Sequence, residues 1–136
     1  MPKQIFVNFP VKNLERSMSF FRKLGFEFNP QFTNKDAACM IVEKDSSYAM
    51  LLTEPFFKTF TEKTIADTSK TTEVLTALSV ESRAEVDRLL KIAIDAGGSE
   101  TRAAIDLGFM YNRAFDDPDG HTWELFHMDM TKLPKS

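Results

Sequence analysis

Glu124 is the residue with the most chemistry within reach. It sits in a strand-like run over 121–128, where side-chain alternation puts Thr122, Glu124 and Phe126 on one sheet face. A carboxylate on an inward, largely apolar face has to find a partner. It can serve as a ligand-binding acid, or as a general base if burial raises its pKa. The plainer alternative is a structural residue paired with a neighbouring donor. His121 and His127, the two histidines, alternate onto the opposite face with Trp123 and Leu125, so this strand offers no His/Glu metal pair. Tyr111 and Arg113 share a face of the preceding strand. On a concave face they would present a hydroxyl and a cation to an anionic or phenolic ligand. On a solvated face they would make a salt bridge of little value, and a one-residue shift of register would put Asn112 in their place. Cys39 is the single cysteine, which leaves no disulfide framework and no thiolate zinc site. It reads as a small buried hydrophobe. The five glycines lack the spacing of a phosphate loop, and no Ser, His and Asp converge on one face.

The elements that must position these residues follow a plan written twice. Residues 5–11 form a β-rich run that reaches a proline, so they read as a strand nearing an edge. Asn13 then caps a helix whose apolar stripe is Leu14, Met18, Phe21 and Leu24, and Gly25 ends it in a left-handed conformation. Strands are expected over 26–32, 37–42 and 48–53. In the second half a strand over 75–80 leads to Ser82 and Glu85, spaced as a capping box. Val86, Leu89, Leu90 and Ala93 form the next helix face, and Gly97-Gly98 stops it. Strands follow near 99–103, 109–115 and 121–128, the last two joined by the turn Asp117-Pro118-Asp119-Gly120. Matching Val11 to Val80 puts Phe6 on Leu75, and the closing strands then match Met50-Leu51-Leu52 to Trp123-Glu124-Leu125. Such a repeat predicts an α+β fold: two βαβββ modules forming a curved mixed sheet around a central cavity, with helices on the outer face. The modules are expected over 4–53 and 72–129, packed as one domain.

Residues 54–71 connect them. Phe56, Phe57, Phe60 and Ile65 stand there among polar residues, in a segment too long for a plain turn. An exposed Phe cluster needs a burial partner, which points to a lid over the cavity or an arm clasping a second subunit. The alternative is a linker that patches the core.

Bulk properties narrow the classes. The chain has 136 residues, 43% of them hydrophobic, and a formal charge of −3, which suits a compact globular protein and not a disordered one. Acids outnumber scattered Lys and Arg, so no nucleic-acid partner is expected. No apolar run approaches a membrane span and the start lacks a signal-peptide layout, so the expected location is the cytoplasm. Thirteen Phe against one Trp and two Tyr argue for a thick core, a greasy cavity, or both.

The opening Asn13-Leu14-Glu15-Arg16-Ser17 … Phe20-Phe21 … Leu24-Gly25-Phe26 resembles the vicinal oxygen chelate superfamily. So, more closely, does the closing Phe115-Asp116-Asp117-Pro118-Asp119-Gly120-His121-Thr122-Trp123-Glu124-Leu125. That superfamily includes glyoxalase I, bleomycin-resistance proteins, extradiol dioxygenases and fosfomycin-resistance enzymes. The resemblance implies metal ligands, usually His or Glu, on the first and last strands of each half. It also implies frequent dimers. Carried onto this chain the four positions are Phe6, Leu51, Leu75 and Glu124, and nearby Asn8, Glu54 and Glu73 do not complete the set. A catalytic site needs at least three good N or O donors around an open position.

Two functions stay open. The first is a metal-free, cofactor-free protein, a homodimer as the resemblance implies, that binds a small apolar or aromatic molecule. Phe6, Asn8, Leu51, Leu75, Tyr111, Arg113, Glu124 and Phe126 would form the site, with Phe56 and Phe60 from the connecting segment. The second is a divergent lyase or dioxygenase that uses a non-standard metal site, or Glu124 as acid/base.

Overall fold

Ile5–Val11 forms β1, and Asn13 caps the helix that follows by accepting the Arg16 N–H at 3.1 Å through Oδ1. This computed structural model describes residues 3–133. α1 spans Leu14–Lys23 and buries Leu14, Met18, Phe20 and Phe21, the expected stripe widened by one aromatic. Gly25 follows at φ +97°, a conformation that costs glycine nothing because it has no Cβ. β2 is only Glu27–Asn29. The expected strand over 26–32 is cut short because Pro30 has no N–H for a ladder and opens a 3-10 turn, Pro30–Phe32, capped by the Asn29 side chain. β3 (Ala37–Glu43) and β4 (Ser47–Thr53) complete a sheet in the order β1-β4-β3-β2, with β1 parallel to β4 and the other pairs antiparallel. A short helix, α2 (Glu54–Phe57), continues from β4 and packs against β1 and β4.

The second set of elements repeats this order. β5 (Thr76–Ser79) runs parallel to β9 (Thr122–Met128), which pairs antiparallel with β8 (Met110–Asp116). β6 (Ser99–Glu100) and β7 (Ile105–Asp106) are two-residue strands, both on the far edge of β8. The expected strand over 99–103 is thus cut to its first two residues, and β7 is a further short strand that lies beyond it. α3 covers Arg83–Asp95, and Ser82 accepts the Glu85 N–H at 3.0 Å. Of the expected capping box that is the half observed; the Glu85 carboxylate pairs instead with Arg88 one turn on, at 2.6 Å. The two compact units divide between Asp67 and Thr68, inside the connecting segment.

Within each unit one sheet face takes the helix, although the other face also holds buried residues: Ala37, Cys39 and Leu52 in the first unit, Asn112 and Ala114 in the second. In the first unit the helix-bearing face carries Phe9, Val11, Ala38, Met40, Ala49 and Leu51. In the second it carries Phe115, Trp123 and Leu125, against Val86, Leu90 and Ala93 of α3. The hydrophobic effect alone accounts for this layering, since each helix stripe and each sheet face must leave water together. No helix among the described residues is long and apolar enough to cross a membrane.

Candidate functional site

The register of the strands decides which residues share the face left free of helix. In the first unit Phe6 pairs with Tyr48, Asn8 with Met50, and Phe9 with Leu51. Parallel partners point to the same side, so Phe6, Asn8, Tyr48 and Met50 share the free face, and the Phe6 and Tyr48 rings stack at 4.6 Å. Leu51 points the other way. It is 1% exposed beneath α1, so its expected place beside Phe6 is corrected to Met50. A one-residue slip is enough to exchange the two faces of a strand. The second unit confirms the corrected repeat: Ala77 pairs with Glu124 there, as Asn8 pairs with Met50 in the first.

Glu124 does find partners. Asn112, diagonally across on β8 because it pairs with Phe126 while Ala114 pairs with Glu124, donates Nδ2–H to Glu124 Oε1 at 3.0 Å. Arg102, from the turn between β6 and β7, places Nη2 3.5 Å from Glu124 Oε2 and also donates to Asn112 Oδ1. Its Nη1 reaches the Ala103 carbonyl at 3.2 Å. The Glu124 side chain is 16% exposed and that of Arg102 31%, so this trio is a partly dried ion pair bridged by an amide. Phe126 lies two residues on along the same face, next to Asn112. Leu75 precedes β5 and is exposed.

Tyr111 and Arg113 are placed on the helix side of β8, not beside Glu124; their strand sits in the register that gives the free face to Asn112. They are fully engaged there. The Tyr111 hydroxyl donates to Asp87 of α3 at 2.7 Å, and Arg113 bonds Asp87 at 2.8 Å and Glu100 at 2.9 Å. Arg83 lies over the Tyr111 ring at 4.3 Å and pairs with Asp106 of β7. The Tyr111 hydrogen bond, then that from Arg113, hold the Asp87 carboxyl below its usual range, and Asp87 in turn pushes the Tyr111 phenol up. His127 also lies on the helix side, with Nδ1 3.0 Å from the Val80 carbonyl oxygen.

Near the start of β9 the turn is built around Asp117. Its Oδ1 accepts the N–H groups of Asp119 and His121, and its Oδ2 accepts the fully buried Trp123 Nε1–H at 3.0 Å. Burial pushes the Asp117 pKa up even with those donors. Gly120, at φ +82°, is pressed against Thr68; a Cβ there would stand 2.9 Å from the Thr68 carbonyl oxygen. In the connecting segment Phe56 is half-buried and meets Phe60 edge to face at 5.2 Å, while Phe60 is 70% exposed.

With this geometry in place, comparison with known proteins gives a definite family. The chain belongs to the glyoxalase/bleomycin resistance protein/dioxygenase superfamily, whose family model matches residues 4–125. No curated protein matches it. Among solved structures it is similar to a hypothetical protein from S. aureus, with 24% identity over 93% of this chain and 94% of that one, at a TM-score of 0.78. A glyoxalase/bleomycin resistance protein/dioxygenase family enzyme from Burkholderia phytofirmans is 16% identical over 90% and 96% of the two chains, at a TM-score of 0.74. A bleomycin resistance determinant encoded on transposon Tn5 is 16% identical over 94% and 99%, at 0.63. At these identities the structures speak for the fold.

A divalent metal of the kind the superfamily's enzymes use does not fit the residues present. The positions Phe6, Met50, Leu75 and Glu124 supply one oxygen donor, and that carboxylate is already held by Arg102 and Asn112. Among the described residues, no three His, Cys, Asp or Glu side chains gather as a metal would require. Arg102 is the member of the polar trio that sequence reasoning did not single out. Nothing in a lone Arg of a polar turn signals which sheet face it will reach.

Proposed function

We propose that this protein binds a small apolar or aromatic molecule without a catalytic metal. The observation that carries the reading is the environment of Glu124. The carboxylate that would ligate a metal is charge-compensated by Arg102, and the companion positions Phe6, Met50 and Leu75 are apolar. In the second unit Glu124, Asn112 and Phe126 are the candidate binding residues; the first unit, taken by itself, presents Phe6 stacked on Tyr48, with Asn8 and Met50 on the same face. Apolar walls with a few placed polar groups are the usual makeup of a ligand site. The exposed Phe60, Ile5 and Leu75 support a homodimer, in which they would leave water. Light scattering at working concentration checks this.

The test of the main reading is metal content of protein purified without chelators, followed by melting in the presence of Zn, Ni, Fe and Mn salts and of a set of aromatic compounds. The expected protein is metal-free, is not stabilised by the ions and is stabilised by some of the aromatics, as a native-state ligand must do. Stoichiometric metal with ion-dependent stabilisation would favour instead a lyase or dioxygenase with a non-standard metal site.

A further inference from the structure

The polar trio on the second sheet has hydrogen-bonding capacity left over, and its pattern specifies a ligand group. Glu124 Oε1 accepts from Asn112, whereas Oε2 accepts no hydrogen bond among the described residues and holds only the 3.5 Å ion pair. An ionised carboxylate has about four acceptor sites, and a guanidinium has about five N–H donors. Arg102 commits Nη1 to Ala103 and Nη2 to Asn112 and Glu124, and its Nε–H has no partner among the described residues. Acceptor capacity on Glu124 and donor capacity on Arg102 are therefore left over within one ion pair whose two side chains are both partly exposed.

The charges of this pair cancel. An anionic ligand would gain from Arg102 about what it loses to Glu124, and a cation the reverse, while either would give up its hydration. A neutral hydroxyl gives up far less and can use both sites at once. Phe126, next along the same face, and Met110, on the same side of β8, supply apolar surface for a ring.

We propose that Glu124 and Arg102 form an acceptor–donor pair that takes the hydroxyl of a neutral phenol. The hydroxyl donates to Glu124 Oε2 and accepts from the Arg102 guanidinium, and Asn112 fixes the carboxylate in place. This inference rests on the metal-free binding reading above and gives that ligand its polar group.

The experiment is a titration of the isotope-labelled protein with p-cresol, toluene, p-toluate and 4-methylbenzylamine, following amide shifts by NMR. p-Cresol is expected to bind at least about tenfold more tightly than the other three, the yield of one good hydrogen bond to a charged group. Glu124→Gln and Arg102→Met should each bring p-cresol down to the affinity of that same variant for toluene, and Arg102→Lys should recover part of the difference. Retained melting cooperativity of each variant separates lost binding from lost folding. Toluene binding with no advantage for p-cresol, or a preference for p-toluate, would overturn the phenol assignment and leave the binding reading intact. Failure of toluene and p-cresol alike to shift any amide would overturn both.

Discussion

Replacing Arg102 by Met strips the counter-ion from Glu124 while keeping most of the aliphatic stem. At 3.5 Å two unit charges attract by about 1 kcal/mol in water and by about 5 kcal/mol at the effective dielectric of a protein surface. Desolvating the pair takes back much of that, but the variant loses the attraction and keeps the dried carboxylate. With Glu124 only 16% exposed, the expected loss is about 1–2 kcal/mol, or a fall of about 3–6 °C in melting temperature for a chain of this size. The informative comparison is a double-mutant cycle with Glu124→Gln, read by thermal and urea denaturation. In the double variant no orphaned charge remains, so its loss of stability should be smaller than the sum of the single losses by about 1 kcal/mol. An Arg102→Met protein that melts within about a degree of the parent, or strictly additive losses, would refute the view that Arg102 and Glu124 form one energetic unit.

The strand register predicts opposite fates for neighbouring substitutions. Leu51→Glu should unfold the first unit by burying an unpaired charge under α1, whereas Met50→Glu, on the free face, should fold with a loss of about 1 kcal/mol or less, measured by circular dichroism melts. Gly120→Ala should cost about 2 kcal/mol or more, since it combines left-handed strain with a Cβ 2.9 Å from the Thr68 carbonyl oxygen; a melting temperature equal to the parent's would contradict the close approach. Asp87 has a depressed pKa in the folded state, so its contribution is complete above the unfolded carboxylate value of about 3.9 and disappears as pH falls through the folded value. Asp87→Asn should accordingly flatten the loss of stability below about pH 4 in a pH series of urea midpoints, and an unchanged acid limb would rule that carboxylate out as a contributor.

Much of the fold could be read from the chain because its signals are local. Asn13, Gly25, Ser82 and Gly97 mark helix ends that depend only on capping geometry, and the α1 stripe shows its period directly. The half-repeat placed the helices and closing strands in their correct order. Register was harder. Met50, Leu51 and Leu52 are all apolar, so nothing in that run says which faces the helix, and the matching of Leu51 with Glu124 missed by one residue. Tyr111, Asn112 and Arg113 posed the converse problem, with three polar residues in a row competing for two faces. Pairing with Phe126 and His127 on β9 settled it, and no local signal could. Arg102 depends on a turn between two minimal strands, whose path follows from tertiary contacts alone.

That turn has a further consequence. Residues 101–109 pass around the edge of β8, with Arg102 sent to Glu124 on one face and Asp106 sent to Arg83 on the other. A single short segment thus ties the polar trio to Arg83 at the start of α3. Lengthening or shortening it by one residue would disturb both attachments together. The length of that segment is therefore as much a condition of the Arg102–Glu124 contact as the presence of the arginine itself.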